Sequence, residues 1–167
     1  MLRSPGGVVF CVAALLAAAG CRERPSAVQP STAGAGPRVA IDGRGSWAVE
    51  LAVTTAQRNK GLAGRREMPT GQGMLFCFRE PAVREFWMEG CLVPLDIAFI
   101  GPDMRVMKTY RMAVESDRRG HVLYSSPGPA QYALEAAAGE LERAGVKVGD
   151  TVRLEGIPED AKAKADP

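Results

Sequence analysis

From Trp47 onward the chain is cut into short apolar runs that alternate at a period of two, separated by turns rich in glycine and proline. That pattern calls for strands. Trp47, Val49, Leu51 and Val53 fall on one face of an extended segment, with Ala48, Glu50 and Ala52 on the other. Gly73 to Phe78 is a continuous apolar run of strand length, which predicts burial on both faces, and Glu80-Pro81 is expected to end it. Leu95, Ile97 and Phe99 share one face of the next strand, opposite Asp96, Ala98 and Ile100. Gly101-Pro102-Asp103 turns into a longer strand within Met104 to Val114, and shorter strands are expected at Val122–Tyr124, Tyr132–Ala136 and Thr151–Glu155. Helical signals are few. Thr54 with Gln57 forms a capping box that opens a short helix over Thr55–Ala63, with Leu62 as its best core contact and Gly64 as its stop. Ala138 to Ala144 reads as a helical turn or two ending at Gly145. The fold class is therefore mostly β, a β-rich α+β sandwich or barrel with one or two short helices.

The two ends of the 167-residue chain read differently. Met1 to Gly20 carries Arg3 and then an apolar run, Val8 to Ala19, too short to span a bilayer and typical of a signal-peptide core. It ends in Ala18-Ala19-Gly20-Cys21, which resembles the bacterial lipobox, where the cysteine is acylated after cleavage of the leader. Alanine stands where the lipobox usually has leucine, and ordinary signal cleavage leaving a free Cys21 is the alternative. Arg22 rather than Asp follows the cysteine, which in a Gram-negative cell points to the outer membrane. The expected location is thus the periplasmic face of the envelope, with the membrane as a partner through lipid on Cys21. Residues 21–45, rich in Pro, Gly, Ser and Ala, are expected to be a flexible tether, and 157–167 a solvated tail. One domain, 46–156, remains.

Composition excludes several functions. A formal net charge of +2 gives no basic footprint for nucleic acid. The single histidine, His121, follows Arg118-Arg119-Gly120 in a polar turn and argues against the common zinc sites and Ser-His-Asp chemistry. The methionines lack copper-site spacing, no glycine-rich phosphate loop opens a helix, and no Gly-x-Ser-x-Gly elbow is present. No metal or cofactor is expected. Within the domain only Cys77 and Cys91 remain, and an oxidising periplasm favours a bridge between them, stabilising by on the order of 3 kcal/mol. The alternative is a reactive thiol with His121 as base.

Asp96 is the most conspicuous polar residue, a carboxylate inside an apolar strand, where it needs a partner. It is read either as a pocket base or ligand group with Glu135 or Arg65 near it, or as a structural acceptor that caps a turn or meets an arginine. An Asp96/Glu135 pair would permit acid–base hydrolysis if the two converged. Arg65-Arg66 offers anion binding or a solvated helix end, and Phe86-Trp87 either stacks on a ligand or packs the core.

Together, Arg58-x-x-Gly61-Leu62 with Arg65, Gly73-Met74-Leu75-Phe76, Phe86-Trp87-Met88, Pro94-Leu95-Asp96-Ile97, Tyr132-x-Leu134-Glu135-x-x-x-Gly139 and Gly149-Asp150 resemble the DUF192 (UPF0127) family over about Val49 to Leu154. Where that family usually has Trp-Met-Lys-Asn-Thr, this chain has Trp87-Met88-Glu89-Gly90-Cys91. The resemblance implies a compact, mostly antiparallel, jelly-roll-like fold and no established activity. The leading expectation is an envelope lipoprotein whose domain binds a small ligand or an envelope protein through Arg65, Trp87, Asp96 and Glu135. The competing readings are a hydrolase-like enzyme using Asp96 and Glu135, and a purely structural accessory domain.

Overall fold

The computed structural model describes residues 36–158 and Ala161. The leader, Cys21 and most of the expected tether and tail lie outside the described residues. In chain order the elements are β1 (Arg38–Ile41), β2 (Gly45–Ala52), α1 (Thr55–Lys60), β3 (Gln72–Ala82), β4 (Glu85–Phe86), β5 (Leu95–Ile100), β6 (Val106–Met112), β7 (Tyr124–Ser125), β8 (Ala130–Ala137), α2 (Glu140–Arg143) and β9 (Val152–Glu155). Seven strands form one sheet in the order β6-β5-β8-β3-β2-β1-β9, while β4 and β7 make a separate two-stranded ribbon. The mostly β expectation holds, and its form is a single curled sheet, a half-barrel, with two short helices. All neighbours in the large sheet are antiparallel except β2 and β3, which run parallel because the α1 crossover returns the chain to the same end.

The two edge strands approach one another at one end. Arg105 and Thr151 form an isolated bridge there, and Val106 N donates to Asp150 O at 3.0 Å. Part of each open edge is satisfied in this way.

The domain begins earlier than the sequence reading placed it. β1 lies inside the segment assigned to a flexible tether, pairing with β2 on one side and β9 on the other. Val39 and Ile41 are buried. Four residues flanked by proline and glycine carry too little periodicity to announce a strand; their apolar face has meaning only against β2 and β9. At the other end Ile157, assigned to the solvated tail, packs against the core, and Ala161 is buried. β3 continues through Glu80-Pro81 to Ala82, with the irregularity absorbed where its pairing to β8 shifts between Cys77 and Ala82. A proline is tolerated at such a bulge.

The Thr54–Gln57 capping box forms: Gln57 N donates to Thr54 Oγ1, and Thr54 N to Gln57 Oε1. The helix stops at Lys60, sooner than expected, because Gly61 takes φ +44 and breaks the repeat.

Alternation splits the core into two clusters, one on each face of the sheet. Leu75, Cys77, Ala98, Ile100, Tyr132, Leu134 and Ala136 face one side, with Trp47 and the α2 residue Leu141. Phe76, Phe78, Leu95, Ile97, Phe99 and Ala133 face the other, with Leu62, Met88 and Cys91. Cys77 and Cys91 therefore belong to opposite faces, and no bridge joins them. The expected disulfide is corrected: β3 lies between the two thiols, and turning Cys77 toward Cys91 would turn Phe76 and Phe78 out of their cluster. Alkylation of the denatured, unreduced protein followed by peptide mapping is expected to modify both Cys77 and Cys91; recovery of a Cys77–Cys91 cross-linked peptide would contradict this arrangement.

Candidate functional site

The same alternation decides the fate of the two carboxylates. Across β5 and β8, Ile97 lies opposite Glu135 and Asp96 opposite Ala136, so the two acids point to opposite faces of the sheet. They do not converge, and the paired-carboxylate arrangement needed for acid–base hydrolysis is absent.

Asp96 is a structural acceptor. Its side chain is buried, and Oδ2 accepts from the backbone N–H of Leu141 at 3.0 Å, capping α2 from β5. Gly139, the residue before that helix, has no side chain to do so. Arg111 lies beside it, with Nε 3.5 Å from Asp96 Oδ1 and its Nη2 held by Glu142 at 2.7 Å. A second buried acid, Glu140, is satisfied similarly: it accepts from Trp47 Nε1 and from Gly71 N. Arg65 makes a two-bonded pair with Glu50, at 2.8 and 2.7 Å, partly in solvent. Neither Asp96 nor Arg65 lines the cavity that holds Glu135.

Glu135 is different. It is 5% exposed, and among the described residues it has no hydrogen-bond or ion-pair partner. Its neighbours on the same face are Met74 of β3 and Ile97 of β5, both apolar. Burial alone pushes its carboxyl from 4.5 up to about 8. It sits against a cavity of about 560 Å³ between the end of α1 and the strap 83–91.

Phe76 and Phe78 of β3, with Phe86 and Trp87 of the strap, form the aromatic wall. Phe76 and Phe86 meet edge to face with centroids 4.9 Å apart, and Phe86 meets Phe99 at 5.5 Å. Basic residues form part of the rim. Arg84 stacks over Phe78 at 3.9 Å, and Arg58 lies 5.2 Å from the same ring while donating to Val53 O and Cys77 O. Burial and the nearby Arg58 lower the Arg84 pKa. Cys91 lines the cavity too, its thiol pushed up to about 11 by burial and by Glu135, which favours its protonated form at neutral pH.

Trp87 is 43% exposed and is braced from behind. A Cβ on Gly120 would fall 2.6 Å from the indole Cδ1, and the residue has φ +72, so only glycine permits this approach. The bracing loop is held by Glu115, whose two oxygens accept from His121 N and Val122 N, both at 2.8 Å. His121 is exposed, as expected, and pairs with Asp117 at 2.7 Å, which raises its pKa. Glu115, Asp117 and His121 present potential metal-ligand atoms within 4.8 Å of one another, a grouping the sequence reading did not make. Both Glu115 oxygens are already engaged with backbone amides.

Of the residues singled out from sequence, the structure unites Trp87 and Glu135 and separates Asp96 and Arg65 from them. The residues missed are Arg58, Phe76, Phe78 and Arg84, while Cys91 was read as a bridge partner or reactive thiol. Arg58 and Phe76 carried a signal, as members of the Arg58-x-x-Gly61-Leu62 and Gly73-Met74-Leu75-Phe76 motifs.

Two stability effects follow. Between pH 4.5 and about 8 the unfolded chain has ionised Glu135 while the folded chain keeps it protonated, so the folded state binds more protons and loses stability as pH rises through that window. Glu135→Gln is expected to remove this slope, giving a flatter melting temperature against pH and a more stable protein at pH 8; parallel profiles for the two proteins would refute it. Asp96→Ala leaves the Leu141 amide without its acceptor and Arg111 held by Glu142 alone, and is expected to cost about 2 kcal/mol in denaturant titration.

A family profile for DUF192, described as an uncharacterized ACR, matches residues 38–154. Two solved structures share the fold at informative identity. One, from Sinorhizobium meliloti and designated a candidate transcription regulator, is 34% identical, with a TM-score of 0.66 over 72% of this chain and 95% of that one. The other, from Novosphingobium aromaticivorans and of unknown function, is 30% identical, with a TM-score of 0.65 over 77% of this chain and 99% of that one. No curated protein matches. The chain belongs to the DUF192 family.

Proposed function

We propose that the DUF192 domain is a small-ligand-binding module, and that the chain is an exported envelope lipoprotein anchored by acyl groups on Cys21. The observation that carries the binding reading is the Glu135 carboxyl, buried without a partner against an aromatic-walled cavity. A buried polar group left unsatisfied costs stability, and such costs concentrate where a ligand completes the site. The volume falls within the range of roughly 300–1,000 Å³ common for small-molecule sites.

Anchorage rests on the apolar run Val8–Ala19 followed by Ala18-Ala19-Gly20-Cys21. Among the described residues no helix is long and apolar enough to cross a membrane. Two or more acyl chains hold a protein on a bilayer stably, where one does so marginally. Nucleic acid is not a proposed partner, given the near-neutral charge.

A thermal-shift screen of a small-molecule panel tests the binding reading. Wild type is expected to be stabilised by at least one compound, with the shift lost in Trp87→Ala and kept in Asp96→Asn, whose substitution lies outside the cavity. A stabilising compound unaffected by Trp87→Ala, or none at all, would contradict it. For the anchor, Cys21→Ser is expected to leave the leader uncut and change membrane fractionation; unchanged processing and fractionation would contradict lipidation.

A further inference from the structure

We infer that the cavity takes a ligand carrying a cationic nitrogen, seated over Glu135 with its apolar body against Phe76, Phe86 and Trp87. This rests on the reading of the cavity as a ligand site and assigns the chemistry that site selects.

Both signs of charge line the cavity, and they differ in which of them can meet a ligand. The two guanidiniums are directed into the protein. Arg84 lies over Phe78 and donates from Nη2 to Glu80 O, while its Nε is buried without a hydrogen-bond partner and out of a ligand's reach. Arg58 donates to two backbone carbonyls and to Thr55 Oγ1. These two guanidiniums are turned into the wall, toward a ring face and carbonyl oxygens, and Lys60 stands at the exposed rim. The carboxyl of Glu135 has no such answer among the described residues. An incoming anion would meet that buried acid with the cations facing elsewhere. An incoming cation would meet an acceptor below and the aromatic side chains of Phe76, Phe86 and Trp87 around it, the combination that favours ammonium groups.

The groups around Glu135 leave its proton as the one that matters near neutral pH. On the sheet its neighbours Met74 and Ile97 do not titrate. From α1 the cavity receives Arg58 and Lys60; from the strap it receives Arg84, Glu85, Glu89 and Cys91, whose thiol holds its proton to about 11. With the cavity empty, Glu135 keeps its proton up to about pH 8. A cation binds to the ionised form, so below that pH binding expels one proton, and affinity rises about tenfold per pH unit until the carboxyl is ionised.

The test uses probes of fixed charge: choline and benzyltrimethylammonium, with 3,3-dimethylbutan-1-ol as the neutral carbon analogue of choline and benzoate as the anionic arm. Titration calorimetry on the full chain in non-ionic detergent, between about pH 6 and about pH 9, reads affinity and protons released. The expected result is binding of the ammonium probes in preference to the alcohol and benzoate, about tenfold tighter per pH unit up to about 8, with proton release that vanishes above it. Glu135→Gln is expected to weaken the ammonium probes at least tenfold and to flatten the profile while leaving the protein folded by its melting curve. The wild-type pH profile decides the matter even if that variant fails to fold. Equal affinity for the alcohol, preference for benzoate, or a flat profile would overturn the cationic assignment while leaving a ligand site. No binding by any of the four probes, with stabilising compounds still found in the wider panel, would overturn the assignment alone; silence in both would overturn the ligand site with it.

Discussion

The register between β5 and β8 decides where each acid of the central sheet ends up. β5 is buried along its length and β8 along most of it, and their apolar side chains divide between the two clusters. With Ile97 opposite Glu135, Asp96 is sent to the α2 side and Glu135 to the side of α1 and the strap. A slip of one residue would exchange the faces of the whole strand, pushing Tyr132 and Leu134 out of one cluster and Glu135 into it. The aromatic and aliphatic residues of β8 hold the register, and the acid travels with them.

Among the described residues three acids lie in the interior, and the fold treats them unequally. Asp96 receives a backbone amide of α2 and the nearby Arg111. Glu140 receives the Trp47 indole and the Gly71 amide, tying α2 to the β2–β3 side of the sheet. These contacts turn expensive groups into ties between elements. Glu135 ties nothing to anything. It opens instead on a cavity whose walls are the strap and the end of α1, with Trp87 pressed forward by the Gly120 loop. The stability forgone there has to be offset by the rest of the core, an arrangement characteristic of sites rather than of scaffolding.

Much of the architecture was legible because its signals are local. The alternation of Leu95 to Ile100 and the Thr54–Gln57 box need no distant contact to be read. β1 was not legible: Val39 and Ile41 are apolar only as two residues among prolines and glycines, and their burial depends on β2 and β9. The disulfide expectation failed for a related reason. Counting two cysteines in one domain says nothing about which face each occupies, and the parity of β3 relative to the strap settles it.

The site was half legible. Glu135 and Trp87 stood out as an acid in an apolar strand and a tryptophan beside a turn, and both line the cavity. Asp96 looked the stronger candidate on the same grounds, because its partner, an amide 45 residues away, leaves no trace near it in sequence. Arg84 and the β3 phenylalanines were invisible as site residues, since a strand buried on both faces reads alike whether its side chains meet a core or a cavity.

A carbon-detected NMR titration of the Glu135 carboxyl in ligand-free protein, assigned by comparison with Glu135→Gln, reads the unanswered acid itself. The midpoint is expected near 8, set by burial against the cavity. A midpoint near the ordinary 4.5 would mean that the carboxyl is solvated or paired, and would contradict the account of the site built on it.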